Sequence, residues 1–290
     1  MKAIILAGGS GSRLYPLTKV VSKQLLPIYN KPLVWYPLST IMMAKIKDVI
    51  VITSPDDKPN FVKLLGDGKN WGISLEYIVQ EKPNGIAEAF LLCEDLIKNE
   101  DRVCLILGDN VFHGSSFIDK LLLAKNDNGA SIFISQVNDP QRYGVVEMGE
   151  NGKQISIEEK PELPKSNYAV TGIYFYDRNV LSFAKELVPS DRGELEISDL
   201  NRIYLQNGKL NAHILPRGTA WFDTGTFNSM HDASAYIRAL EERQGLQIGC
   251  LEEISLGNDW ISKQDVMNKI NLHKNSELSN YLSRVIKNYP

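Results

Sequence analysis

Five short apolar runs, at residues 3–6, 48–53, 75–79, 103–107 and 131–135, alternate along the first half of the chain with longer amphipathic stretches at 33–45, 58–65, 86–97 and 117–125. Runs of that length rich in β-branched residues predict strands, and apolar residues recurring at helical spacing predict helices between them. Strand–helix–strand repeats build a mostly parallel sheet with helices on both faces, and such a sheet takes its ligands beyond the carboxyl ends of its strands. A chain of 290 residues can hold one large α/β domain or two ordinary ones. The rhythm changes at Tyr143, where 145–148, an Asn151-Gly152 turn and 154–158 predict a hairpin, followed by a third strand at 169–176. This section, about 143–176, reads as a strand-rich insertion at the ligand end of the sheet. A helix at 196–205, a strand at 212–215 and a long helix at 227–243 lead back to the core, and 261–288 continues as a helical pattern. The expected division is a core over 1–225 that includes the insertion, with 226–290 as a helical segment packed on it and offering oligomer contacts.

A net charge of -3 provides no general basic field, which argues against a nucleic-acid binder or a polybasic membrane-surface protein. No run of ~18 apolar residues is present, and the opening 1–7 is too short for a signal-peptide core, so no membrane association and a cytoplasmic location are expected. Cys93, Cys104 and Cys250 have no metal-like spacing and read as reduced core residues. The four histidines likewise form no zinc pattern.

Directly after the first strand comes Leu6-Ala7-Gly8-Gly9-Ser10-Gly11-Ser12-Arg13-Leu14, continuing to Lys23-Gln24-Leu25-Leu26-Pro27. Glycines at such a place let backbone N–H groups approach a phosphate, although a plain glycine-rich turn reads the same way. The loop is no Walker motif, and it lacks the third glycine of a dinucleotide fingerprint. Charge separates the readings: residues 1–47 contain Lys2, Arg13, Lys19, Lys23, Lys31, Lys45 and Lys47 but no Asp or Glu. A polyanionic ligand accounts for that asymmetry, with Arg13 gripping phosphate oxygens in bidentate fashion and Lys23 placing a point charge beside them. Lys2, Lys45 and Lys47 read as solvated surface charges.

The wording Gly-Gly-Ser-Gly-Ser-Arg-Leu-Tyr-Pro-Leu-Thr, with Ser-Lys-Gln-Leu-Leu-Pro after it, resembles the signature of the sugar-nucleotide pyrophosphorylases, and the resemblance runs from residue 2 to about 251. It departs in the tail, where members tend to carry Tyr-Gly and Tyr-Leu and this chain has Asn275-Ser276-Glu277-Leu278-Ser279-Asn280-Tyr281-Leu282. The resemblance implies a Rossmann-like nucleotidyltransferase sheet and the joining of dTTP to glucose 1-phosphate, with UTP or CTP as the alternative nucleotide. It assigns Leu6, Gly8, Gly9, Gln24, Gln80 and Gly85 to the nucleoside pocket together with Arg13 and Asp109. Asp109 and Asp223 are then the Mg²⁺ ligands, a role that two carboxylates beside phosphates suit, although each alone would read as a turn or helix cap. Gly144, Glu159, Lys160 and Val170 are implied to hold the sugar phosphate, where the residues alone suggest a hairpin with a surface ion pair. Arg192-Gly193-Glu194-Leu195-Glu196 matches a further motif near the sugar, and Glu196 alone reads as a helix start.

The implied chemistry is one in-line displacement at the α-phosphorus. A phosphate monoester is largely ionised at neutral pH, its second pKa being about 6, so the attacking oxygen needs no general base. Catalysis would rest on positioning and charge neutralisation by Arg13, Lys23, Asp109, Lys160 and Asp223. The family also implies a homotetramer with a regulatory site, for which Gly114, Arg217, Cys250 and Glu253 are the candidates; helix capping and a surface arginine are the plainer reading. The rival readings are a dehydrogenase with a Rossmann loop and a non-catalytic nucleotide sensor.

Overall fold

The computed structural model describes residues 1–9, 11–150 and 152–289. The chain opens with β1 (Lys2–Ala7), a small ribbon of β2 (Pro27–Ile28) and β3 (Lys31–Pro32), α1 (Trp35–Met43), β4 (Asp48–Thr53), α2 (Lys58–Leu65) and β5 (Ser74–Val79). Then come α3 (Glu88–Leu92), α4 (Glu94–Ile97), β6 (Arg102–Leu107), β7 (Val111–His113), α5 (Ser115–Ala124) and β8 (Ala130–Gln136). The middle holds β9 (Gly144–Met148), β10 (Gln154–Glu159), β11 (Tyr168–Asp177), α6 (Val180–Glu186) and α7 (Ile197–Gln206). It closes with β12 (Leu210–Ile214), β13 (Ala220–Phe222), α8 (Phe227–Gln244), α9 (Leu251–Gly257), α10 (Lys263–Leu272) and α11 (Glu277–Asn288).

The protein is a mixed α/β fold whose central strands β6-β1-β4-β5 are parallel. Their sequences are apolar on both faces because both faces are covered. In β1, Ala3, Ile5 and Ala7 enter one core with Val51 and Phe61, while Ile4 enters the other with Ile50 and Phe90. β11 runs antiparallel to β6 and also pairs with β8 and β9, so the strands expected as an insertion join the same sheet edge to edge. The β9–β10 pairing is the expected hairpin; of its Asn151-Gly152 turn, Asn151 lies outside the described residues, as does Ser10 of the amino-terminal loop.

One helical expectation needs correction. The 86–97 helix divides at Cys93, whose backbone leaves the helical region while Ala89, Phe90, Cys93 and Ile97 keep one buried face. Periodicity therefore ran through the break. The 261–288 pattern is two helices, separated at Asn275, which has a φ of 77°, and restarted by Ser276, whose side chain accepts from the Ser279 N–H. Cys250, Leu256, Val266, Tyr281 and Leu282 form a satellite core that holds this tail.

All three cysteines are buried free thiols, and burial raises the pKa of Cys93 to about 12. Among the described residues no helix is long and apolar enough to cross a membrane.

Candidate active site

β6 ends at Leu107 and delivers Asp109 and Asn110 past the carboxyl edge of the sheet. β7 follows at once and pairs antiparallel with β13, Val111 opposite Phe222. Continuing that ladder outward sets Asn110 against Asp223 and Asp109 against Thr224. Two carboxylates from distant parts of the sequence thus lie just past the end of one short ribbon and line the same cleft. Asn110 laces it, its Oδ1 accepting from Trp221 Nε1 at 2.6 Å and from the Gly172 N–H at 3.2 Å, while its Nδ2 donates to Asp109 Oδ1 at 2.9 Å.

Both carboxylates carry cationic partners. Lys23, buried on a 3-10 turn after the glycine loop, donates to Asp109 Oδ2. Asp223 Oδ2 accepts from Arg142 Nη2 at 2.9 Å and from the Tyr143 hydroxyl at 3.2 Å. Arg142 also bonds Asp139 at 2.6 Å, which fixes its orientation. Burial, and next the Asp223 charge, push the Tyr143 hydroxyl well above its usual range, so it stays a proton donor to that carboxylate at neutral pH.

Asp109, Asn110, Arg142, Tyr143 and Asp223 line a cleft of about 200 Å³ together with Arg13, Gly144, Glu159, Lys160 and Val170, with Lys23 set behind it. A Cβ placed on Gly225 would lie 3.6 Å from both Arg13 Nη2 and Asp223 Oδ2, which puts the exposed Arg13 guanidinium on the Asp223 side of the cleft. Opposite, Glu159 Oε2 accepts from Ser198 Oγ at 2.6 Å, and Lys160 Nζ stands 3.5 Å from Glu159 Oε1. Lys160 has a φ of 42°, and its N–H donates to the Tyr143 carbonyl.

The remaining nucleotide candidates gather beside this cleft. A Cβ on Gly8 would fall 2.8 Å from Gln80 Oε1, so the glycine lets the Gln80 amide lie against the loop backbone. Leu6 and Gln24 meet around Gly108. The two glutamines are buried and held: Gln24 Oε1 accepts from Ser22 Oγ at 2.6 Å, and Gln80 Nε2 donates to Glu88 Oε2 at 2.7 Å. Gly85, with a φ of 110°, packs where a Cβ would lie 2.4 Å from the Leu195 backbone, and it thereby ties the 84–88 turn to the Arg192–Glu196 segment. Glu196 is the residue before α7, as expected, and Arg192 Nη2 bonds it at 2.8 Å. A Cβ on Gly9 would meet nothing within 4 Å.

Gly114, Cys250 and Glu253 line a second cleft, of about 560 Å³. Arg217 is not among its lining residues, although its neighbour Gly218 is. Burial raises the Glu253 pKa, and a hydrogen bond from the Tyr281 hydroxyl opposes that rise.

The roles of Asn110, Arg142, Tyr143, Trp221 and Thr224 were missed from sequence. Their motifs were visible, and Asp139 to Arg142 has the spacing of a local ion pair, but the partner Asp223 lies on another element.

The family profile described as nucleotidyl transferase matches residues 2–239. A glucose-1-phosphate thymidylyltransferase of Neisseria meningitidis serogroup A is 52% identical over 288 residues, which is 99% of this chain and 100% of the relative. One from Mycolicibacterium smegmatis is 50% identical over 99% of each chain. A Bacillus anthracis structure described under the same activity, in complex with sucrose, superposes with a TM-score of 0.75 at 44% identity, covering 82% of this chain and 95% of that one. A UDP-glucose pyrophosphorylase complexed with UDP-glucose shares the fold, with a TM-score of 0.71 at 24% identity, over 82% of this chain and 98% of that one. From a match that spans the glycine loop, both carboxylates and the cleft between them, the chain belongs to the nucleotidyl transferase family.

Proposed function

We propose that this protein transfers the thymidylyl group of dTTP to glucose 1-phosphate, giving dTDP-glucose and pyrophosphate. The observation that carries this reading is the single cleft into which Asp109, Asp223, Arg13 and Lys160 converge, in a chain about half identical to relatives named for that reaction.

Lys160 holds the sugar phosphate so that its oxygen faces the α-phosphorus; the new P–O bond forms as the bond to the β-phosphate breaks, and pyrophosphate departs. Arg13, on the Asp223 side of the cleft, neutralises charge growing on the leaving group. Lys23 steadies the α-phosphate once that phosphate replaces its Asp109 partner. Mg²⁺ fits the residues present: Asp109 and Asp223 are hard oxygen donors lining one cleft, and among the described residues they belong to no group of three or more potential ligands. The other coordination positions then fall to phosphate oxygens and water, which this ion accepts readily. When bound it would supply Lewis-acid stabilisation of phosphate charge.

Pyrophosphate release measured across dTTP, UTP, CTP and ATP with several sugar 1-phosphates tests the assignment. dTTP is expected to be preferred and UTP to be used less well, because thymine and uracil share the imide edge that Gln24 and Gln80 can read. The ring methyl supplies only ~1–3 kcal/mol of discrimination. Equal kcat/KM for the two, or a preference for CTP, would reject the base assignment.

The second cleft supports a regulatory reading, in which a homotetramer is inhibited there by a pathway end product such as dTDP-rhamnose. Gly114 at the start of α5 offers backbone N–H groups to a phosphate. By reciprocity, an inhibitor that weakens dTTP binding must itself bind less tightly when dTTP is present. Inhibition kinetics of wild type, with mass measured in solution, check this, and purely competitive inhibition counts against it; Arg217→Ala tests only whether the loop at Gly218 beside the cleft takes part.

A further inference from the structure

We propose that Thr224 is a positioning residue that sets the spacing between Asp109 and Asp223; the inference rests on these two being the metal ligands. Thr224 is fully buried, and its Oγ1 donates to the Asp109 carbonyl at 2.5 Å. Its φ is 34°, in the left-handed region where a β-branched residue is an outlier. Such strain persists only where the surroundings over-determine it, and it concentrates at functional sites. Glycine would occupy that backbone without strain, yet it has no hydroxyl. Threonine there exchanges backbone comfort for a rigid χ1 and a donor aimed at the other acidic residue.

The consequence follows from the ribbon. β7 and β13 pair over only three residues each, and the two acidic residues lie beyond the paired ends. Trp221 reaches across to the Asn110 side chain, and Thr224 reaches across to the Asp109 backbone. Asp223 lies between these two bonds in sequence. The Trp221 side chain thus reaches from inside the ladder to Asn110 just past its end, Thr224 bridges beyond both paired ends, and without Thr224 the side-chain bonds left to Asp109 among the described residues come from Asn110 and Lys23. An ion shared by two carboxylates tolerates little error in their separation, because Mg²⁺ demands near-ideal octahedral geometry. Partners that orient metal ligands, though they never touch the metal, typically govern affinity by ~10–100-fold.

The test uses Thr224→Ser, which keeps the hydroxyl, Thr224→Val, which keeps the shape, and Thr224→Gly, which relieves the backbone. Mn²⁺ is titrated into each full-length protein and followed by loss of the free-ion EPR signal. In parallel, the Mg²⁺ concentration for half-maximal rate and the KM for glucose 1-phosphate are measured. The Val and Gly variants are expected to need ~10-fold more of either ion at unchanged sugar KM, with Ser close to wild type. Melting of each variant is recorded alongside, because a positioning role predicts the same loss of metal affinity in Val and Gly although their effects on stability differ. Val and Gly variants that match wild type in both ion measurements would overturn the role of Thr224. If Asp223→Asn retains Mn²⁺ like wild type, the metal assignment itself falls, and the positioning role falls with it; that outcome is read from a different protein and so is distinguishable.

Discussion

Asp109→Asn and Asp223→Asn are each expected to fold normally and to lose about 10³-fold or more of turnover, the loss expected when charge stabilisation worth several kcal/mol is removed from a transferring phosphoryl group. Folding should survive because both carboxylates face an open cleft, with side chains 23% and 20% exposed. Asparagine also keeps a side-chain oxygen that can accept from the buried Lys23 and from the partly exposed Arg142, so neither cation is left unpaired. The two residues share one function, so the double variant should lose little beyond either single one, and wild type should stop in EDTA. Circular dichroism melts and pyrophosphate release decide the matter. Full turnover in EDTA, or losses that multiply in the double variant, would show that the carboxylates act separately.

Arg13→Ala should lower kcat by ~10²–10³ while leaving the KM for glucose 1-phosphate nearly unchanged. The asymmetry follows from position. Arg13 is exposed on the 3-10 turn after the glycine loop and forms no salt bridge among the described residues, so neither folding nor the opposite wall with Glu159 and Lys160 depends on it. In the proposed reaction, a guanidinium near Asp223 and next to the glycine loop meets charge that grows only as pyrophosphate leaves. Arg13→Lys should recover part of the rate, because an ammonium restores the charge but not the planar fork. Steady-state kinetics of both variants with saturating dTTP provide the check; an Ala variant with wild-type kcat would reduce Arg13 to a surface residue.

The sequence by itself determined the elements whose cause is local. The strands at 48–53 and 103–107 and the helix at 58–65 are written in the run and spacing of their apolar residues, which depend on neighbours a few positions away. The glycine loop was legible for a similar reason, as glycines after a strand within a stretch free of acidic residues. Where one buried face continues through a break, as at Cys93, that same local signal hides the break.

Only the tertiary structure decided what stands opposite what. Asp109 and Asp223 looked like separate caps in sequence, and the pairing of β7 with β13 makes them neighbours. The cations that hold them, Lys23 and Arg142, come from two further elements, and the strained Thr224 bond to the Asp109 carbonyl has no sequence signature at all. β11 reaches β6, β8 and β9 along one edge, so strands that read as an insertion became part of the main sheet. The divergent tail places the Tyr281 hydroxyl on Glu253 at the second cleft. Each of these depends on strand order and on how elements dock, which are set by burying the apolar faces of the whole chain at once; periodicity states which face is buried, but not against what.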